Sequence, residues 1–100
     1  MTRKSLLSAL FVAGLAVGHS ATAADASGQM VAAQCNGCHG FEGKSVGDAP
    51  SLHGRSAALM AKAMKDFKSE ARQATIMNRI AKGYSDAEIQ NVAEYYANLK

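Results

Sequence analysis

Residues 35–39 read Cys35-Asn36-Gly37-Cys38-His39. They contain the only two cysteines of the 100-residue chain, and a histidine follows the second cysteine directly. The spacing brings two thiols and one imidazole onto a single short segment. Their closeness indicates that all three groups serve one chemical role.

This pattern is the attachment signature of c-type haem. Cys35 and Cys38 are spaced to reach the two vinyl groups on one edge of a porphyrin, and His39 then lies under the iron. A thioredoxin-type redox pair needs a βαβ pattern, which is missing here. A zinc site needs four ligands, and His53 is the only further strong ligand after residue 24. A plain disulfide, which export permits, leaves His39 unexplained. The motif therefore predicts one covalently bound haem c.

Segment 1–23 has the layout of a secretory signal peptide. Arg3 and Lys4 precede the apolar run 6–17, and residues 21–23 form a small-x-small cleavage site. That apolar run is too short for a membrane span, which needs about 20 residues. We expect segment 1–23 to be removed and segment 24–100 to form one monohaem domain. In a bacterium this domain would be periplasmic, with no membrane span.

Composition narrows the possible partners and the possible core. Cleavage would remove Arg3 and Lys4 and lower the formal net charge from +3 to +1. No basic run is present, so nucleic acid is not an expected partner. A domain of this size buries little core on its own. With aromatic residues at only 6%, a haem would supply the large apolar body that the core lacks.

Hydrophobic periodicity predicts an all-α chain of three or four short helices with long loops. We expect helices over residues 25–36 and 56–69, a loop over residues 40–55, and a last helix that begins at Ser85. Ser85 and Glu88 form a capping box. Two apolar helix faces follow from the spacing: Met60, Ala63, Met64 and Phe67 on one helix, and Ile89, Val92, Ala93, Tyr96 and Leu99 on the other.

The sixth iron ligand decides the function, because a thioether there indicates an electron carrier. Met30, Met60, Met64 and Met77 are the candidates. Met30 lies on the helix that leads into the motif, while Met60 and Met64 fit as soft core residues. Met77 lies in the segment that leads to the last helix, far enough after His39 for the chain to cross to the opposite haem face. We therefore predict His39 and Met77 as the axial pair.

Pro50 is the only proline of the chain and follows His39 in the predicted 40–55 loop. A ligating histidine usually donates its second ring N–H to a carbonyl. The fixed φ of proline suits a loop that presents such a carbonyl, and it suits a simple turn equally well. Spacing alone leaves both roles open.

Residues 25–100 resemble a small bacterial class I cytochrome c. The resemblance is carried by Cys35-x-x-Cys38-His39-Gly40, by the loop Ala49-Pro50-x-Leu52-x-Gly54, by Met77 and by the Tyr-rich last helix. It implies that Met77 is the sixth ligand, that the Pro50 carbonyl accepts from His39 and that Leu52 packs on the haem. It also implies that Gly28 contacts Tyr95 or Tyr96 where the first and last helices cross.

Residues 74–85, together with residues 67–69, are similar to the haem subunit of flavocytochrome c, the sulfide dehydrogenase. In that family the cytochrome accepts electrons from an FAD-containing flavoprotein that oxidises sulfide. Well-known subunits of this kind carry two haem domains, whereas this chain has one haem motif. The resemblance therefore implies a single-haem subunit, with a free electron carrier as the alternative. A haem enzyme or gas sensor with an open sixth site is the remaining class, and Met77 argues against it.

Overall fold

The computed structural model describes residues 13–14 and 23–100. These residues form four α-helices: α1 (Ala23–His39), α2 (Ala57–Lys68), α3 (Met77–Ala81) and α4 (Asp86–Ala97). A short 3-10 turn, Phe41–Gly43, follows α1. The described residues form no strand, so the all-α prediction is confirmed. Apart from residues 13–14 and 23, the predicted signal peptide lies outside the described part of the chain.

The helical elements differ from the sequence prediction in three places. The first helix was expected over residues 25–36 but extends to His39, so the whole haem motif is helical. It ends there because Gly40 adopts a φ of 89°, which ordinary residues avoid. Helix α3 was not predicted, since five residues are too short to display a helical period. The expected 40–55 loop also contains the 3-10 turn.

Serine caps define the starts of α2 and α4. The Ser56 side chain accepts from the Leu59 N–H at the start of α2. At α4 the predicted capping box is present, because the Ser85 side chain accepts from Glu88 N–H and the Glu88 carboxylate accepts from Ser85 N–H. These bonds satisfy amide groups that the first turn of a helix leaves without partners.

The first and last helices cross at Gly28. A Cβ at this position would lie 2.5 Å from the Asn91 carbonyl oxygen and 3.1 Å from the Tyr95 Cβ. Of the two tyrosines expected at this crossing, Tyr95 therefore makes the contact. Tyr96 instead packs against Gly43, where an added Cβ would lie 2.8 Å from the Tyr96 ring.

The core is small and consists of two clusters on the buried stripe of α4. Val31, Ala32, Val92 and Tyr96 form one cluster, and Ala61, Ile89 and Ala93 form the other. Leu99, the last member of the predicted stripe, is half-buried and packs on the first cluster. Tyr84 packs on both clusters, donates a hydrogen bond from its hydroxyl to Gln34, and accepts one at its carbonyl from Lys68 Nζ. Among the described helices, none is long and apolar enough to cross a membrane.

Candidate functional site

The C-terminal part of α1 brings Cys35, Cys38 and His39 to one side of the helix, because residues i, i+3 and i+4 are neighbours on a helix surface. Cys35 is half-buried, Cys38 is exposed, and His39 is only 8% exposed. No disulfide joins the two cysteines, so both sulfurs are open to attachment. Burial raises the pKa of the Cys35 thiol, so it stays protonated near neutral pH until it reacts.

His39 is held by the loop that follows it. Its Nδ1 lies 2.6 Å from the Pro50 carbonyl oxygen. A carbonyl can only accept, so Nδ1 carries the proton and donates it. The Nε2 atom then keeps its lone pair, which is the form that binds a metal. The contact that the resemblance implied between His39 and Pro50 is thus present in the fold.

The path of this loop is fixed by the Gly43 carbonyl. It accepts from Leu52 N–H at 2.7 Å and from His53 N–H at 3.2 Å. These bonds fold residues 44–51 back toward α1 and bring Pro50 to His39. The His53 Nδ1 atom is hydrogen-bonded to the Glu42 carbonyl at 3.0 Å, and this contact helps to hold the loop.

Beside His39 lies a cavity of about 760 Å³. This volume is within the range of sites for cofactors and small ligands. Five of the six predicted site residues line it, and four of these, Cys35, His39, Pro50 and Leu52, come from α1 and its loop. Met77 lines it as well, whereas Cys38 does not. Helix α2 supplies most of the apolar wall through Met60, Ala63, Met64 and Phe67.

The four methionine candidates separate by position. Met30 is 72% exposed and does not line the cavity. Met60 and Met64 line it but also pack on the core clusters, in keeping with the role of soft core residues. Met77 lines the cavity as the first residue of α3 and does not pack on either cluster. Its thioether is therefore the one least needed for packing.

Cationic side chains on the cavity wall were not anticipated as site residues. Arg55, Lys62 and Arg72 line it together with a single carboxylate, Asp66. Asp66 is already paired with Lys62 through an i,i+4 contact. Arg72 stacks on the Phe67 ring, with its guanidinium carbon 4.9 Å from the ring centroid. Arg55, Lys62 and Arg72 are scattered in the sequence, which therefore gave no sign of a shared site. Only folding brings them to one wall.

The donor set and the cavity fit a haem. The exposed Cys38 and the half-buried Cys35 lie three positions apart, beside the His39 imidazole with its free Nε2. The Met77 thioether lines the same apolar cavity. Within the described residues, no group of three or more His, Cys, Asp and Glu side chains is arranged to hold a metal ion by itself.

Comparison with known proteins identifies the family. The family model for cytochrome c matches residues 23–100. The chain is 41% identical to the cytochrome subunit of sulfide dehydrogenase from Chlorobaculum tepidum over 75 residues, which are 75% of this chain and 68% of that relative. It is 38% identical to cytochrome c-553 of Helicobacter pylori over 74 residues, covering 72% of this chain and 77% of the relative.

A third relative is longer. Cytochrome c4 of Pseudomonas aeruginosa is 37% identical over 97 residues, which are 96% of this chain but 47% of the relative, so this chain spans about half its length. The fold, the motif and these matches agree on one conclusion. The chain belongs to the cytochrome c family and is a class I domain with one covalently bound haem c.

Proposed function

We propose that this protein transfers single electrons through its haem, with His39 and Met77 as the two axial ligands of the iron. The observation that carries the proposal is a buried imidazole, fixed by the Pro50 carbonyl, in the same cavity as a thioether that the core does not use. When bound, the haem supplies a one-electron Fe(III)/Fe(II) couple. A filled sixth position favours electron transfer over ligand binding.

The chain's own residues set the properties of this couple. Donation from His39 Nδ1 to Pro50 makes the imidazole a better electron donor at Nε2. The Met77 thioether favours the reduced iron and so raises the potential. Leu52 and Phe67 line the cavity and limit the access of water to it. Arg55 and Arg72 line the cavity, and their positive charge could pair with the propionates of a bound haem.

The axial pair is tested on the purified holoprotein. We expect a mass that equals the polypeptide plus one haem, and a haem that stays attached through acid–organic extraction. The ferric spectrum should show the sulfur-to-iron charge-transfer band of a low-spin His/Met pair. Freely extracted haem or a high-spin ferric spectrum would contradict the proposal, the latter in favour of a haem enzyme or gas sensor.

Concerning the partner, we propose that the chain is the haem subunit of a sulfide dehydrogenase and receives electrons from an FAD-containing flavoprotein. Residues 74–85 support this, and so does the relative named as the cytochrome subunit of sulfide dehydrogenase. The matched segment is 75% of this chain and 68% of that relative, so the two chains are of similar length. A subunit of single-domain length therefore exists among the relatives.

Purification from the native host tests this partner. We expect the haem protein to co-purify with a larger FAD-containing subunit, and sulfide to reduce the haem in the complex but not in the isolated cytochrome. Isolation as a haem-only monomer at every salt concentration, with no sulfide-driven reduction in the crude extract, would favour a free electron carrier. The similarity to cytochrome c-553 is the observation that supports this alternative.

We further propose that segment 1–23 directs export and that the protein acts in the periplasm. The support is the charge and hydrophobicity pattern of that segment. N-terminal sequencing of the protein from its host should begin at Ala24. A protein that retains Met1 or the apolar run 6–17 would contradict this proposal.

A further inference from the structure

One side chain, that of Tyr96, connects α4 to both segments that hold His39. It is 1% exposed. Its hydroxyl reaches α1, where it donates to the Ala32 carbonyl at 3.1 Å and lies 2.6 Å from the Asn36 side chain. Burial raises the pKa of Tyr96 far above its ordinary range, so the hydroxyl keeps the proton that it donates.

The orientation of the Asn36 amide follows from its surroundings. With its nitrogen turned toward Tyr96, the amide lies within hydrogen-bond distance of three acceptors, which share its two N–H groups: Tyr96 Oη at 2.6 Å, the Ala32 carbonyl at 3.2 Å and the Gly40 carbonyl at 3.1 Å. The two carbonyls can only accept, so the nitrogen must be the atom that faces them. The Tyr96 hydroxyl then accepts from Asn36 while it donates to the Ala32 carbonyl.

Asn36 thereby contacts both backbone groups of Gly40, the residue that follows His39. Its own carbonyl accepts from Gly40 N–H at 3.0 Å, and its amide donates to the Gly40 carbonyl. Gly40 has little freedom to adjust, since its φ is 89° and a Cβ would lie 2.0 Å from the Lys44 carbonyl oxygen. His39 lies between these two anchored residues, so its backbone is fixed on both sides.

Tyr96 also anchors the loop that holds the imidazole. Its carbonyl accepts from Gly54 N–H at 2.8 Å, and its ring packs against Gly43. The Gly43 carbonyl in turn holds Leu52 and His53, which follow shortly after Pro50. The backbone of His39 and the Pro50 carbonyl therefore share one anchor on α4.

We propose that Asn36 and Tyr96 are positioning residues that set the orientation of the His39 imidazole on the haem iron. The inference rests on the proposed role of His39 as an axial ligand. It predicts that removing either side-chain group rotates the imidazole plane even where the protein stays folded. The two residues act through one hydrogen bond, so their effects should not add.

The chain provides a matched control in Tyr84. Its hydroxyl also donates to a side chain of α1, that of Gln34, and it also packs on the core. No bond from Tyr84 or Gln34 reaches Gly40 or the Pro50 loop within the described residues. Tyr84→Phe and Tyr96→Phe each remove one hydroxyl that ties α1 to the rest of the fold, but only Tyr96→Phe loses contact with Asn36.

The test measures the haem-methyl proton shifts and the principal g values of the ferric holoprotein, which report the angle of the axial imidazole plane. We expect Tyr96→Phe and Asn36→Leu to change the spread of the methyl shifts in the same direction. The double variant should change it no more than the larger single variant. Tyr84→Phe should lower the melting temperature but leave the shifts and g values at the wild-type values.

Wild-type shifts in Tyr96→Phe, with only a lower melting temperature, would show a purely structural anchor and overturn the proposal. An equal change in Tyr84→Phe would overturn it as well. Because Tyr96→Phe keeps the buried ring, it remains informative if Asn36→Leu fails to fold. A wild-type protein without a low-spin His/Met spectrum would instead refute the proposed axial pair, which separates the two failures.

Discussion

Met77 combines two properties that no other methionine in the described residues shares: it lines the cavity beside His39, and the core clusters do not use it. Met77→Ala should therefore abolish the sulfur-to-iron charge-transfer band and open the sixth position. Carbon monoxide should then bind the ferrous protein, and the reduction potential should fall because the thioether no longer stabilises ferrous iron. Optical titration and carbon monoxide binding check these outcomes.

Two methionines in the same cavity provide the controls. Met60→Leu and Met64→Leu keep an apolar side chain of similar volume, so each should cost less than about 1.5 kcal/mol of stability. Both variants should retain the charge-transfer band at full intensity. Loss of the band in either one would mean that the sulfur ligand comes from α2 rather than from α3.

Among elements, the contact between α1 and α4 depends on the missing side chain of Gly28. A Cβ there would meet the Asn91 backbone at 2.5 Å, and backbone cannot move aside cheaply. Gly28→Ala should lower the free energy of unfolding by about 2–3 kcal/mol, as overpacked sites do. Urea unfolding of the holoprotein measures the change.

The matched control is Gly37, in the same helix, where an added Cβ would meet no atom within 4 Å. Gly37→Ala should be neutral or stabilise the helix by about 0.5–1 kcal/mol, because alanine restricts the unfolded chain. Equal destabilisation by the two substitutions would show that helix propensity, rather than the crossing with α4, governs Gly28.

The capping box of α4 should make stability depend on pH. Hydrogen bonds from the Ser85 backbone and side chain, followed by the charge of Lys68, hold the pKa of Glu88 below its ordinary value of 4.5. A lowered pKa means that the ionised carboxylate stabilises the folded state above pH 4.5. This contribution is lost as the pH falls through the lowered value.

Glu88→Gln keeps an acceptor for Ser85 N–H but removes the charge. The variant should be less stable than wild type at pH 7 and equally stable near pH 2, where both side chains are neutral. Ser85→Ala should cost about 1 kcal/mol at either pH, since it removes the hydroxyl cap. A Glu88→Gln deficit that persists unchanged at pH 2 would contradict this assignment.

At the scale of the whole molecule, the protein part of the core is small. Tyr96 and Ile89 are the largest fully buried side chains in the described residues, and alanines make up much of the rest. The two clusters do not fill the cavity. The side of α2 and of the Met77 segment that lines it therefore has no packing partner. A domain of this size usually needs a staple, and a covalent cofactor provides one.

Replacing both Cys35 and Cys38 by Ala should therefore abolish haem attachment and unfold most of the chain. Far-UV circular dichroism should show a large loss of helix, because the apolar cavity wall would face water. Addition of free haem should restore helix only in part, since His39 and Met77 would have to hold it without the two covalent bonds. A double variant with wild-type helix content and no haem would show that the polypeptide core suffices.

The sequence alone determined the chemistry and the helical elements that carry it. Cys35, Cys38 and His39 lie within one short motif, so their meaning did not depend on the fold. The predicted start and end of α2 and the predicted start of α4 each lie within one residue of the observed boundary. Apolar periodicity and serine caps allowed this because they are local signals. The assignment of His39 and Met77 as iron ligands remains a prediction for the experiments above.

The tertiary structure decided what depends on distant segments. Only folding brings the Pro50 carbonyl to His39, and only folding separates Met77 from Met60 and Met64 by what each packs against. Helix α3 and the cations at the cavity wall had no local signal. The link from Tyr96 to Asn36 spans 60 residues and depends on the close crossing of α1 and α4, which no periodicity within either helix encodes.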